Sequence, residues 1–561
     1  MLILQRTTQM IAIIILSQAL CVPAMAAPLT RPDTGAILRE HQDTSIPAPK
    51  KQEPGIEVSG QPQETVPTAG ESKIQVKSIH ISGQNIYSQD KLLALISGGI
   101  GQEFTLGELQ NLAGRITKYF RDQGYVVANA YIPAQDIKDG AVDIVVIVGQ
   151  YGKIDLRNNS TLKEQTALSL VSDLKSGDYI KNDKLERTLL LLNDTYGVSA
   201  KAMLAPGKEA GTADLIIDIS NTVKVSGHVS TDNWGNRFTG EKQLGLGVNI
   251  NNPSSVGDMI NIGGVYTGSG MNDYSLSYVL PTGGHGAKLG VGYSQMHYSL
   301  GEEFSSSNAN GIAKTTSIFE TFALKRSRQF NINGKIQYDS KQLIDRIDAI
   351  PYYSEKGSDV LTVGISGNGS DQFGGGGMNG FAFTYAFGHL GLRSADAVST
   401  DANAQAAGSY SKTSLNLSRI QAINSRVNLY LSFDGQLANK NLDSSEKLQI
   451  GGPSGVRAYP VGEAPSDEGY IFTGEFRWNM PTPKFQMAAF YDNGKAKLNK
   501  SPWAGAGVNE RDLSGAGLGL IWNRANDYSI RLDYAWKISS DPATADNDKN
   551  GRLWLQGVKY F

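Results

Sequence analysis

From Val223 to the C-terminus the sequence alternates, and alternation limits this chain more than any other feature. In Arg426-Val427-Asn428-Leu429-Tyr430-Leu431-Ser432-Phe433-Asp434 every odd position is apolar and most even ones are polar. Ser529 to Ile538 repeats the pattern in the other frame, with Ile530, Leu532, Tyr534 and Trp536 opposite Arg531, Asp533 and Lys537. A strand has a side-chain period of two, so each such segment offers one apolar and one polar face. Those two faces suit a cylinder with lipid outside and an aqueous lumen inside. A soluble β-sandwich or propeller is the competing reading, but a sheet stack of this length needs larger apolar runs for its core.

The supporting signals agree. Gly numbers 63 and Tyr 24, a mixture that fits many short strands and turns. Pro281-Thr282-Gly283-Gly284 and Pro481-Thr482-Pro483 read as tight turns, and the polar, Gly-rich stretches near 301 to 312, 366 to 380 and 540 to 550 read as longer loops. The last predicted strand, Gly551 to Phe561, ends in an aromatic residue. This is similar to the C-terminal signal of bacterial outer-membrane proteins, although Lys559 is less apolar than that pattern usually is.

The N-terminus reads as a signal peptide over 1–26. Arg6 supplies the charge, Met10 to Leu20 the apolar stretch, and Ala24-Met25-Ala26 the small-residue cleavage site. As an uncleaved anchor, the apolar run is short for a bilayer. Cys21 follows the bulky Leu20 and makes a poor lipoprotein site. It is the sole Cys, so the mature chain is expected to hold neither disulfides nor thiolate metal sites. A net charge of -2 gives no reason to expect nucleic acid as a partner.

Residues 27–73 are rich in Pro, Gln, Glu and Thr. One short helix over Thr34 to His41 is predicted, followed by an extended, mobile linker carrying Pro47, Pro49, Pro54, Pro62 and Pro67. Residues 74–150 then read strand, helix, helix, strand, strand. Leu109, Leu112, Ile116 and Phe120 recur at helical spacing before the stop at Gly124. The predicted strands of this unit include Val126 to Ile132 and Val142 to Val148. The same order recurs over 151–222, with a strand at Ile154 to Leu156, helices at Leu162 to Leu174 and Asp183 to Asp194, and strands at Val198 to Leu204 and Ala213 to Ile219. Two small α/β modules of one design are expected, ahead of a barrel over 223–561.

One stretch carries a specific signature. Gly451-Gly452-Pro453-Ser454-Gly455-Val456-Arg457-Ala458-Tyr459-Pro460 is followed by Asp467, Glu468, Gly469 and Glu475, and further on by Phe490-Tyr491-Asp492-Asn493-Gly494. Read alone, Asp492-Asn493-Gly494 is also a good hairpin turn, and Arg457 an ordinary loop charge. Together the two stretches resemble the sixth extracellular loop and the barrel-wall motif of TpsB transporters, the outer-membrane components of two-partner (type Vb) secretion, ShlB/FhaC/HecB-like. Ala130-Tyr131-Ile132-Pro133-Ala134-Gln135 with Asp139-Gly140 is similar to that family's first POTRA module. Leu185-Glu186-Arg187, Leu192-Asn193-Asp194, Gly197 and Gly211 to Leu215 are similar to its second. Two departures stand out: Ala458 where many relatives have Gly, so that a backbone avoiding positive φ is expected there, and Tyr196 where Pro is frequent, expected to affect only the second module's turn.

The resemblance implies a transmembrane antiparallel β-barrel of about sixteen strands, two periplasmic POTRA modules, and an N-terminal helix that plugs the lumen. About 340 residues over sixteen strands leaves roughly 21 for each strand and its connection, enough for strands of about 9–11 residues. It further implies that the loop folds back into the barrel. Val456, Arg457, Ala458 and Tyr459 would then form a latch against Phe490, Asp492 and Gly494, with Gly452, Asp467, Gly469 and Glu475 supporting the loop. Arg457 would reach Asp492, because a guanidinium inside the lumen needs a carboxylate, and its planar fork holds one in two hydrogen bonds. Tyr459 would pack beside it, and Gly494 would leave room on the wall.

The expected function is a pore in the outer membrane of a Gram-negative bacterium. It would carry a large partner exoprotein of hemolysin, adhesin or contact-toxin type, bearing an N-terminal secretion domain, from periplasm to surface without ATP. The implied surroundings are outer-membrane lipid and lipopolysaccharide, the implied state a monomer. A barrel-assembly (insertase) factor of the same superfamily is the alternative, and two modules rather than a longer string argue against it. A passive porin would need neither module nor latch. No catalytic residues, metal ligands or cofactors are expected: there is no Gly-x-Ser-x-Gly elbow, no P-loop, and the six His are scattered at 41, 80, 228, 285, 297 and 389.

Overall fold

In the computed structural model, residues 31–42, 56–58 and 73–561 are described, apart from 269, 482 and 483. The expected signal peptide and most of the linker lie outside the described residues, as do two residues of the turn at Pro481. Among the described residues no helix is long and apolar enough to cross a membrane.

Sixteen antiparallel strands close into a barrel that runs from Val225–Asp232 to Gly551–Tyr560, and these first and last strands pair with each other. Alternation is the cause. In Tyr528–Lys537 the side chains of Tyr534 and Trp536 lie on the outer wall, while Asp533 is buried on the lumen side. In Phe485–Lys497, Met487 and Tyr491 point outward and Ala488, Phe490 and Asp492 inward. Strand length varies from 8 residues in Val225–Asp232 to 20 in Tyr352–Asp371. Two expected loops are therefore shorter than predicted. The stretch 366 to 380 is mostly strand, since Tyr352–Asp371 pairs with Gly377–Leu392 and only 372–376 turns. Its glycines are pairing positions as much as turn positions. Near 301 to 312 a short 3₁₀ turn, Glu302–Ser307, leads directly into Ala309–Lys325.

The first module has a three-stranded sheet in which Ser78–Ser82 and Asn129–Tyr131 flank Ala141–Ile147. Helices Gln89–Leu95 and Leu106–Asp122 cover it. Thr105 and Glu108 form a capping box at the start of the longer helix, and Leu109, Leu112, Ile116 and Phe120 bury its apolar stripe. The strand expected over Val126 to Ile132 is only Asn129–Tyr131, because Tyr125 to Ala128 turn off the helix end.

The second module repeats the element order. Gln150–Asn159 is longer than its apolar part suggested, and helices Glu164–Val171 and Asn182–Asp194 pack on a sheet with Val198–Pro206 and Thr212–Asn221. A fourth strand comes from the segment expected to be plain linker: Ile56–Val58 pairs in parallel with Ala202 to Leu204. Three residues with β-forming side chains at their ends suffice once a sheet edge is available.

This module sits on the turns at one end of the barrel. Arg326 holds Asp194 through Nε at 2.7 Å and Nη2 at 3.1 Å, and Lys288 Nζ donates to the Asp194 carbonyl at 2.8 Å. Both cations meet the C-terminal end of Asn182–Asp194, where the helix dipole is negative. Lys288 also lies 4.2 Å from the centre of the Tyr196 ring. Tyr196 thus touches the barrel, which corrects the expectation that it matters only to its own turn.

Candidate functional site: the occupied lumen

Two elements fill the lumen. The first is helix Thr34–Gln42. Asp33 caps it by accepting the Ala36 N–H at 2.9 Å, and Thr34 donates from N and from Oγ1 to Asp345 Oδ1, each at 2.7 Å. Asp345 is on the inward face of Phe330–Ile347, opposite the outward Ile336 and Tyr338. Ile37 and Leu38 pack with Phe238, Met271, Met296, Tyr298 and Leu343. At the other end, Glu40 accepts from Asn236 at 2.9 Å and His41 lies 3.3 Å from Asp273.

The second is the long connection between strands Val427–Ala438 and Glu468–Asn479, which folds inward from the rim opposite the second module. Gly452, at φ +105°, turns the chain, and its N–H donates to the Tyr459 carbonyl at 3.2 Å. Ala458 is not among the positive-φ residues, as expected for a residue with a Cβ. The left-handed strain falls instead on Ala464, at φ +51°. Val456, Ala458 and Tyr459 are buried with Ile450, Leu513 and Phe490.

Arg457, 4% exposed, points at the wall. Its Nε and Nη2 donate to the two oxygens of Asp492, each at 2.8 Å, and its backbone N–H reaches the same carboxylate at 3.2 Å. The guanidinium carbon lies 3.3 Å from the centre of the Phe490 ring. Asp492 sits in mid-strand, not in a hairpin turn. Nη1 donates to Glu475 at 2.9 Å and to Asp533 at 3.1 Å. One arginine therefore meets three carboxylates, where a single partner was expected. Arg531 and Arg477 complete the set by donating to Glu475 at 2.7 and 2.6 Å, and Arg531 also reaches Asp533 at 2.8 Å. Three guanidinium groups face three carboxylates, so the cluster is neutral. Burial works against the charge of Arg457, but Asp492, Asp533 and Glu475 together outweigh it and raise its pKa above the ordinary arginine value.

The other expected residues have definite places. Tyr459 shares a hydrogen bond with Ser539 at 2.8 Å and donates to the Asp541 carbonyl at 2.7 Å. Asp467 is buried and accepts the N–H groups of Leu442 and Lys500 at 3.1 and 2.8 Å, tying the loop's first residues to its last. Gly469 is a pairing position, opposite Gln436 and Ala496. At Gly494 a Cβ would lie 2.5 Å from Ile450 Cγ2, so the loop rests directly on the wall there.

Several residues of this site were not singled out in the sequence. Asp533 and Arg531 looked like ordinary lumen charges in an alternating strand. Trp554 donates from Nε1 to the Arg457 carbonyl at 2.7 Å. Glu463, fully buried, accepts from the N–H groups of Thr544 and Ala545 and pairs with Arg511 at 3.0 Å. Gly515, Gly517 and Gly519 line the wall under Ala458, Phe490 and Asp533, where Cβ atoms would come within 2.4 Å of each. Their spacing in Gly515-Ala516-Gly517-Leu518-Gly519 was the available signal: alternate glycines on an inward face leave space for something else.

Comparison with known proteins agrees with this architecture. Residues 211–521, more than half of the chain, match the family described as haemolysin secretion/activation protein ShlB/FhaC/HecB. Residues 74–149 match the POTRA domain, ShlB-type. The chain is 29% identical over 546 residues to the heme/hemopexin transporter protein HuxB of Haemophilus influenzae (strain 86-028NP), covering 95% of each. It is 21% identical over 418 residues to the outer membrane transporter CdiB of Dickeya dadantii (strain 3937), covering 72% of each. In fold it is similar to CdiB from Escherichia coli, with a TM-score of 0.66 at 18% identity over 90% of this chain and 93% of that one. BamA from Haemophilus ducreyi lacking POTRA domains 1-3 shares the fold at a TM-score of 0.53 and 14% identity, over 87% of this chain and 100% of that one. The chain belongs to the ShlB/FhaC/HecB family of outer-membrane transporters of two-partner secretion, with its POTRA region in the periplasm and an exoprotein as its partner.

Proposed function

We propose that this protein moves one large exoprotein, bearing its own N-terminal secretion domain, through the barrel in an extended state, with no chemistry of its own. The observation that carries this reading is the filled lumen: a closed sixteen-stranded barrel holds a helix and a loop by polar contacts that can be broken and remade. A passive porin has no use for such an arrangement. The client is of hemolysin, adhesin or contact-toxin type, and the likeness to a heme/hemopexin transporter adds a heme- or hemopexin-binding exoprotein to the candidates.

Residues 151–222 serve as a second POTRA module, and the extended client pairs with exposed strand edges such as Gln150–Asn159, the edge opposite Ile56–Val58. Arg457 and its three carboxylates act as the latch of the loop. The helix is the plug, the outer wall contacts lipid and lipopolysaccharide, and the protein works as a monomer. Folding of the client outside the cell, rather than nucleotide hydrolysis, biases movement outward. The test is deletion of the gene: one exoprotein should vanish from the surface and medium while other outer-membrane barrels keep their levels. Loss of many barrels would replace this reading with the insertase.

A further inference from the structure

The loop is also held eleven residues before Arg457, at its entry into the lumen. Glu446, 3% exposed, closes the short 3₁₀ turn Ser444–Glu446 near the start of the loop. Lys341 Nζ lies 2.6 Å from its Oε1 and Lys412 Nζ 2.9 Å from its Oε2. Lys412 Nζ and Gln436 Nε2 also donate to its carbonyl, at 2.8 and 3.1 Å. Asp443, three residues earlier, pairs with Lys356 at 2.6 Å. These partners come from the seventh, eighth, tenth and eleventh strands of the barrel. The partners of Arg457 come from the twelfth, thirteenth, fifteenth and sixteenth. The two sets share no strand, so the loop is braced on different arcs of the wall.

The same turn carries the lumenal helix. Ser444 Oγ donates to Asp33 Oδ1 at 2.6 Å, Lys356 bridges Asp443 and Asp33 at 2.6 and 3.1 Å, and Arg39 Nε donates to the Lys447 carbonyl at 3.1 Å. Contact is close enough that a Cβ on Gly35 would lie 2.3 Å from Ser444 Oγ.

We propose that residues 443–447 are the seat of the helix and that Glu446 is the positioning residue that fixes this seat to the wall. The inference rests on the reading of the chain as a gated pore. Two ammonium groups share one buried carboxylate, so loss of the Glu446 charge leaves two lysines repelling each other at the base of the turn. The turn then shifts, the helix loses Ser444, Lys447 and part of the hold on Asp33, and the pore opens while the Arg457 cluster stays intact.

The experiment is the conductance of the purified full chain in planar lipid bilayers, which needs no client. Its failure is therefore separable from failure of the transport reading. Glu446→Gln should raise the open fraction by about tenfold or more, and the triple variant Lys341→Gln, Lys412→Gln, Glu446→Gln should open less than the single one because no unpaired charge remains. An open fraction at the wild-type value in Glu446→Gln, with a heat-modifiable folded barrel, overturns the proposal. A second arm holds even if that variant fails to fold. In a Cys21→Ser background, Gly35→Cys with Ser444→Cys should form a disulfide that keeps the pore closed until reductant is added. Opening at the wild-type frequency with the disulfide formed also overturns it, since helix and turn would then leave as one body.

Discussion

Phe490 and Gly517 face each other across neighbouring strands so closely that a Cβ at 517 would lie 2.2 Å from the ring's Cζ and 2.3 Å from the Tyr534 carbonyl oxygen. The ring is the platform on which the Arg457 guanidinium lies. Because one of the two obstacles is backbone, a side chain at 517 cannot be absorbed by rotating Phe490 alone. Gly517→Ala should cost about 1–3 kcal/mol of stability. It should lower the temperature at which the folded, heat-modifiable band is lost on a gel.

Arg457→Ala should reduce exoprotein secretion while leaving the barrel folded and inserted. Truncation leaves Asp492 without a cation while Glu475 and Asp533 keep Arg531, a change worth about 3–5 kcal/mol for a buried pair. Arg457→Lys keeps the charge but loses the fork that spans three carboxylates, and should recover only part of the secretion. Secretion and barrel abundance measured together at several expression levels check both.

Exchanging the partners, Arg457→Asp with Asp492→Arg, should fail to restore wild-type secretion. With a single partner such a swap would recover the pair. Here it places a carboxylate at 457 beside Glu475 and Asp533, which stay negative and stay where they are. Recovery to the wild-type level would mean that the Asp492 contact alone matters.

Arg326→Ala should loosen the second periplasmic module from the barrel without unfolding either. The two-point contact with Asp194 is only partly exposed to solvent, at 22% and 26%, so a coupling of about 1 kcal/mol is expected. Hydrogen exchange at the Asp194 end of the helix and at Ser327 should rise several-fold, and a double-mutant cycle with Asp194→Ala should show non-additivity.

Barrel, modules and lumenal helix were open to reading because each writes a periodic or compositional pattern: Leu429 and Leu431 against Asn428 and Ser432, Leu109 to Phe120 at helical spacing, Thr34 to His41 between prolines. The contacts that assemble the site write none. Asp533 sits in an alternating strand whose inward face is polar anyway, so nothing local marks it as the third partner of Arg457. Glu446 lies in Asn441-Leu442-Asp443-Ser444-Ser445-Glu446-Lys447, which reads as a solvated loop and is instead buried against two lysines more than thirty residues away. Ile56–Val58 is too short to register as a strand until Val198–Pro206 offers it an edge. The glycines of 366 to 380 read as one loop, yet Gly367, Gly369, Gly377 and Gly380 pair between strands and only Gly374 to Gly376 turn the chain.

Arg457 touches the wall only through strands that follow it in the chain, and its carbonyl waits for Trp554 in the very last of them. The loop thus acquires its full set of partners only once the C-terminal strand is in place. A barrel still missing that strand keeps the three carboxylates but leaves the Arg457 carbonyl without its indole donor and the first strand without its neighbour, so one segment finishes both the cylinder and the loop's seat.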